Sequence, residues 1–476
     1  MADLELDAAI ALTRFGLGAG PGDLTEVRSD PRGWLAAQIR PQGADQPQPN
    51  AQTAAQRFEE FRVYRQDQKS ARTDSDGKVS DDKDPVKIAQ RMLREETGGD
   101  FLARAALGAS TPAGFRERWT LFWANHFTVS ATKLVTATLV GPFEQEAIRP
   151  HVFGKFASLL GAAETHPAML VYLDQTQSIG PNSQAADFLK RPRARGVGSR
   201  LPETATRTVG LNENLAREIL ELHTVGINGG YSQTDVTEFA RALTGLSISG
   251  FQGETTQAGV SVFRQTAHEP GSRIVRGIKY PPGGKDQAAA VLADLAAAPE
   301  TARFICGKIA KHFVSDTPPP ALVEGLIRTW MDTQGDLGQV AAKLIGSPDA
   351  WDPTPAKFKT PYEWMVSSWR AVGASPTTIG QLAPTLTGLG QKPFAPPSPK
   401  GWPDDAASWA SADGLIKRMS WAETFASSHS HQDPKALAAA SLGQRLTPLT
   451  AKAIASSESR TEGLTLLLMS PEFLRR

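Results

Sequence analysis

Gly210 to Gly245 reads GLNENLAREILELHTVGINGGYSQTDVTEFARALTG. Leu215, Ile219 and Leu222 recur at helical spacing. On a helix from Leu211 to His223, at about 100° per residue, Asn214, Arg217, Glu218 and Glu221 share a polar sector roughly 100° wide. Arg217 and Glu221 stand i,i+4 apart, the spacing of an ion pair. Val225-Gly226 stops the helix, and Asn228-Gly229-Gly230 supplies a turn where positive φ is easy. A second helix starts near Ser232 or Thr234. Ser232 and Asp235 have the capping-box spacing, with Asp in place of the usual Glu, and Asp235, Glu238 and Arg241 form its polar edge. Two helices on a tight glycine turn make an αα-hairpin. This hairpin, spanning 211–245, sets Glu218 and Glu221 within reach of Asp235 or Glu238.

His223 falls nearly opposite Asn214 on an ideal helix and so points away from Glu218 and Glu221. The three can share an ion only if the helix ends by about Leu222, an end that the glycine turn permits. Otherwise the imidazole bonds a backbone carbonyl and locks the turn. The cluster reads as a polar pocket for acid/base work or a divalent cation, with a solvated, salt-bridged helix face as the competing reading. Asn212 and Asn214, poor residues inside a helix, point to a cap or a specific bond.

Helical periodicity continues on both sides. Short helices are expected at Asp7–Phe15 and Pro31–Ile39, and longer ones at Lys87–Ala106, Phe115–Phe127 and from Lys285 onward. Arg40 to Asp84 is polar and reads as a linker around a helix at Ala54–Gln66. Gln177 to Thr208, with its basic run KRPRARG, reads as a long loop. Strand character is confined to VSVFRQ and SRIVRGIKY, either side of HEPG, a small β-ribbon near Val260 to Tyr280. AAKLIGSPDAW and LTLLLMSPEFL both end an apolar helix on Ser-Pro. The expectation is one large, mainly α domain: N-terminal helices over 1–39, a polar linker or insertion over 40–84, and the main helical domain with the hairpin over 85–476.

Composition narrows the function. With Lys+Arg 51 against Asp+Glu 50, the net charge of +1 gives no global pull toward nucleic acid. The single cysteine, Cys306, rules out an intramolecular disulfide and multi-thiolate zinc sites. No stretch has the roughly 20 apolar residues of a transmembrane helix. The N-terminus lacks a basic n-region, so the chain as written reads as cytoplasmic, without a signal peptide. There is no Walker A loop, HExxH or GxSxG. His126, in FWANHF, reads as a buried, hydrogen-bonded core histidine more readily than as a ligand. His268, in AHEPG, reads as a surface turn ahead of a functional group. His312 reads as core or interface.

RFGLGAGPGDL, RERWTLFWANHFTVS, HPAMLVYLDQTQSIGPNS, the hairpin itself and the closing SPEFLRR together resemble the bacterial family catalogued as domain of unknown function 1800, from about Ala8 to Arg476. The family's hallmark positions map onto Asn125, His126, Asn212, Glu213, Asn214, Arg217, Glu218, Glu221, His223, Thr224, Tyr231, Asp235, Arg241 and Gly245. The histidine-acid-glycine of its later segment becomes His268, Glu269, Pro270, Gly271, with a proline inserted. The resemblance implies no agreed activity. It implies export to the periplasm or beyond for many members, and gene neighbours encoding an exported sulfatase-like partner.

The leading expectation is a polar-ligand or metal-assisted enzyme of the cell envelope, acting on polysaccharide or its ester groups. Glu218, Glu221, His223 and Asp235 are its catalytic candidates. Asn125, His126, Asn212, Asn214, Arg217, Tyr231, Arg241 and His268 are its ligand-binding candidates, and a divalent metal is the candidate cofactor. The rival expectation is a non-enzymatic scaffold for the sulfatase-like partner, with the polar network fixing helix packing and Gln177–Thr208 and Ala395–Asp405 as docking surfaces.

Overall fold

The aromatic segment FRERWTLFWANHF decides where the core sits. It forms the Gly114–His126 helix, in which Phe115, Trp119, Trp123 and His126 are buried, and so are Arg116, Glu117 and Arg118. A helix buried all round is a central one. Its rings join Phe15, Phe153, Phe156 and Phe313 in one aromatic cluster. Each such side chain contributes roughly 2–3 kcal/mol through burial. Its charges are paired with distant segments: Arg118 with Glu363, Glu117 with Arg149, and Arg116 with Asp45.

The computed structural model describes residues 3–73, 85–190, 210–250 and 257–476. Among these the chain is mainly α, with two small two-stranded antiparallel sheets. The two β-prone runs do not pair with one another as one ribbon. Strand β2 (Ser261–Phe263) pairs back with β1 (Leu246–Ile248), directly after the hairpin. SRIVRGIKY folds on itself, β3 (Arg273–Val275) against β4 (Ile278–Tyr280). Arg276 and Gly277, at φ 48° and 78°, form its two-residue turn, as primed hairpin turns require.

The part of the polar segment 40–84 that is described is folded onto the domain. The Ala54–Thr73 helix buries Phe58 and Tyr64 on one edge, and Arg57 reaches Glu96 and Asp100 on the Pro85–Ser110 helix. A few apolar residues at helical spacing suffice, because the helix lies on a surface already built. Residues 74–84 lie outside the described residues. So do 191–208 of the expected long loop, with most of its basic run; the loop's described part contains the Gln184–Lys190 helix. Both Ser-Pro stops occur as read: Ser347 precedes the Pro348–Trp351 turn, and Ser470 caps the Pro471–Leu474 helix through the Phe473 amide.

Candidate functional site

The first helix of the hairpin is shorter than its periodicity suggests. Asn214–Glu218 is α-helical, and Ile219–His223 widens into a π turn. Thr224 leaves the helix at φ −130°, ψ −101°, and its hydroxyl donates to the Ile219 carbonyl at 2.6 Å. Gly226 follows at φ +81°, where a Cβ would stand 2.6 Å from the Phe304 ring. The early end does not gather His223, Glu218 and Glu221 into one ion-holding cluster. The π turn swings His223 into the interior, where its Nδ1 lies 2.7 Å from Oε1 of Glu164, the penultimate residue of the Phe156–Thr165 helix. Both side chains are at most 1% exposed. The approach is close but not aligned as a hydrogen bond, and both ring nitrogens and both carboxylate oxygens lack a hydrogen-bond partner. Such a buried polar pair is costly.

His126 stands next to it. Its Nε2 lies 3.1 Å from the His223 carbonyl and its Nδ1 2.9 Å from Lys308 Nζ. A carbonyl only accepts, so Nε2 carries the proton and Nδ1 accepts from the ammonium. Burial, with Lys308 and His223 nearby, pushes the His126 pKa well below the ordinary histidine value, so the ring is neutral. Burial also pushes Lys308 down to about 8.

Glu218 is half-buried at the end of the α-helical turn. Burial raises its carboxyl above the usual range; Glu221 and Glu164 reinforce the rise, while His223 and Arg217 oppose it. Tyr172 is pushed up to about 12 by burial and by Glu218. Tyr231 Oη donates to Glu221 Oε2 at 3.4 Å. Glu218, Glu221, Tyr172 and Tyr231 therefore form a partly open polar front, with Glu164 and His223 behind.

The remaining candidates are tied into structure. Asn212 Oδ1 accepts from the Asn214 amide, while its Nδ2 donates to the Leu173 and Asp174 carbonyls. Arg217 pairs back to Glu213 at 3.1 Å instead of forward to Glu221, and Glu213 also accepts from Gln233 and Thr237, stitching the two helices together. Asp235 completes the expected capping box with Ser232, and its other oxygen accepts from the Arg276 amide at 2.6 Å. It anchors the β3–β4 hairpin and does not face Glu218. Glu238 is held by Arg241 and Arg273. His268 is buried, not on a surface turn; its Nδ1–H donates to the Thr244 carbonyl at 2.8 Å. Asn125 clamps the Trp402 backbone in both directions. Among the described residues no three His, Cys, Asp or Glu side chains converge to hold a metal ion.

Sequence reasoning passed over Glu164 and Lys308. Glu164 is four residues from Leu160 on an otherwise apolar helix face, an acid where the period demands a hydrophobe. Lys308 and His312 share one face of the Pro299–Phe313 helix at i,i+4. Both signals require knowing which face is buried.

These features define a mainly α protein with a buried Glu164–His223 pair behind a helix hairpin. The chain belongs to the family described as "Protein of unknown function (DUF1800)", which it matches over residues 10–475. No curated protein and no solved structure matches it. No helix among the described residues is long and apolar enough to cross a membrane.

Proposed function

We propose that the chain is an enzyme that carries out acid/base chemistry at the hairpin, on an uncharged polar substrate of the polysaccharide or sugar-ester kind. The observation that carries this reading is the half-buried Glu218, its carboxyl held above the usual range, in front of the solvent-free Glu164–His223 pair. A carboxyl whose burial favours the protonated form is suited to donate to a departing oxygen. Glu221, steadied by Tyr231, stands beside it to take a proton from water. Glu164 and His223 then act as positioning groups, fixing the π turn that presents Glu218. The metal-assisted form of the same idea draws less support, since the candidate carboxylates and His223 do not share one point. The cell-envelope setting rests on the family resemblance alone.

Chromogenic sugar esters and glycosides assayed with the purified protein test this. Turnover should fall at least about a hundredfold in Glu218→Gln while the melting temperature stays within a few degrees. Equal turnover in Glu218→Gln and wild type, or none by either, defeats the reading. The scaffold reading is favoured by one specific observation: Phe188 is 71% exposed, beside Leu189 on the Gln184–Lys190 helix. It would gain if the sulfatase-like neighbour bound stoichiometrically and Phe188→Ser abolished that binding.

A further inference from the structure

A second constellation lies away from the hairpin front. Between the Gly114–His126 helix, the start of the Pro361–Ala371 helix and the strap 391–404 is a cavity of about 110 Å³. That is room for several water molecules or one small organic molecule. Three polar atoms on its lining side chains are buried without a hydrogen-bond partner: Arg118 Nη2, His312 Nε2 and Tyr362 Oη. A buried polar group left unpaired is destabilising, and three around one cavity require an explanation.

Each group is fixed by bonds to its other atoms. Arg118 donates through Nε to the Gly16 carbonyl at 2.7 Å and pairs with Glu363, which leaves Nη2 as an oriented donor. His312 Nδ1 lies 3.1 Å from Asp404 Oδ2. A carboxylate only accepts, so Nδ1 holds the proton, and burial keeps the imidazole pKa below its ordinary value. Nε2 is therefore an acceptor. The Tyr362 ring packs under the Arg104 guanidinium at 4.9 Å, leaving a hydroxyl able to give or take. The charged groups away from the exposed rim residue Lys392 are already matched: Glu363 with Arg118 and Arg476, Glu144 with Arg104 and Arg149, and Asp404 with Lys357. A charged guest would upset that balance.

The strap is preformed. Gly401 sits at φ +81°, and a Cβ there would come within 2.5 Å of the Asn125 carbonyl oxygen. The Trp402 amide donates to Asn125 Oδ1 at 2.8 Å, and the Ser130 hydroxyl donates to the Pro396 carbonyl at 2.8 Å. Trp402 itself lines the cavity, offering an aromatic surface beside the polar atoms.

We propose that this cavity binds one neutral polyhydroxyl molecule of glycerol size, or the hydroxyl-bearing edge of a monosaccharide, whose hydroxyls meet Arg118 Nη2, His312 Nε2 and Tyr362 Oη. Hydroxyl groups both donate and accept, which is what a fixed donor, a fixed acceptor and a group of either kind demand. Recognition by groups that have no partner within the protein is also selective, since analogues lacking a hydroxyl strand them. The inference does not rest on acid/base chemistry at Glu218.

Calorimetric titration with glycerol, glucose and N-acetylglucosamine, with glucuronate and inorganic phosphate alongside, tests it. At least one neutral probe should bind saturably with Kd of about 1 mM or tighter. Tyr362→Phe should weaken that probe about tenfold, the effect of one lost hydrogen bond, without lowering the melting temperature, because the hydroxyl has no protein partner to lose. A crystal soaked in the same probe should show it against Tyr362 and His312. No saturable neutral probe, binding by the anions alone, unweakened binding in Tyr362→Phe, or density for the probe only elsewhere would each overturn the proposal. Binding is read here at Tyr362 and turnover at Glu218, so the two ideas fail separately.

Discussion

At the scale of single residues, the informative side chains are those whose burial conflicts with their chemistry. Glu164 and His223 need each other. Removing one partner of a buried pair typically costs about 3–5 kcal/mol, whereas replacing both with apolar groups of similar size is often neutral or stabilising. Glu164→Leu alone should therefore destabilise strongly in urea denaturation. The double variant Glu164→Leu/His223→Phe should recover most of the loss yet stay inactive in the sugar-ester assay; a double variant as unstable as the sum of the singles would show that the pair is not a unit. Lys308 gives a pH signature. The unfolded chain holds its proton up to the ordinary 10.5, whereas the folded chain releases it from about 8. Between those values the unfolded state binds more protons, so stability rises with pH through the window, and below it the cost of burying the ammonium is felt in full. Lys308→Met should flatten that rise, relative to wild type, in denaturation midpoints between pH 8 and 10.5. An unchanged slope would mean Lys308 keeps its proton in the fold. Glu218 and Glu221 were legible as candidates from their shared helix face. Glu164 was not, because nothing local to ETHPAML says that His223 arrives beside it from 59 positions further along the chain.

At the scale of elements, much of the hairpin was readable. Its glycine turn, the Ser232 cap and the second helix all follow from local chemistry that tertiary contacts did not override. What local chemistry could not give is the π turn. A π turn has no propensity signature, and such turns are inserted where a side chain must be re-aimed. Three occur among the described residues, at Ala11–Phe15, Glu144–Ile148 and Ile219–His223, and each places an ionisable group inward: Arg14, Glu144 and His223. The last depends on Gly226 to close it. Gly226→Ala would face both a left-handed backbone and the Phe304 ring, a penalty of roughly 2 kcal/mol or more. Its melting temperature should drop, and its sugar-ester turnover should fall with it as Glu218 loses its frame. A variant as stable and active as wild type would show that the turn does not hold the site.

At the scale of the whole molecule, the helical class was legible because amphipathic runs with short connections recur from Lys285 to the last residues. How the ends meet was not, since pairing between residues hundreds of positions apart leaves no local period. Arg14, near the start, donates to the Ala350 and Thr354 carbonyls at 2.9 and 2.6 Å. Arg476 is fully buried; it exchanges backbone hydrogen bonds with Lys357, donates to the His312 carbonyl at 2.6 Å, and pairs with Glu363. Glu363 is in turn the partner of Arg118 on the central helix. The central helix and Arg476 are thus joined through one buried carboxylate. Against the cost of its burial, Arg118 and Arg476 hold the Glu363 pKa far below the ordinary range. Arg476→Ala leaves Glu363 with a single cationic partner and opens the His312 side of the cluster. The expected loss is about 3–5 kcal/mol, read as a shift in the urea midpoint at unchanged slope. Because the tryptophan-bearing central helix and Arg476 share this junction, tryptophan fluorescence and helical circular dichroism should shift together. A shift confined to one probe would mean the central helix and the Arg476 segment unfold independently, and a loss below about 1 kcal/mol would place the pair among weak surface bridges.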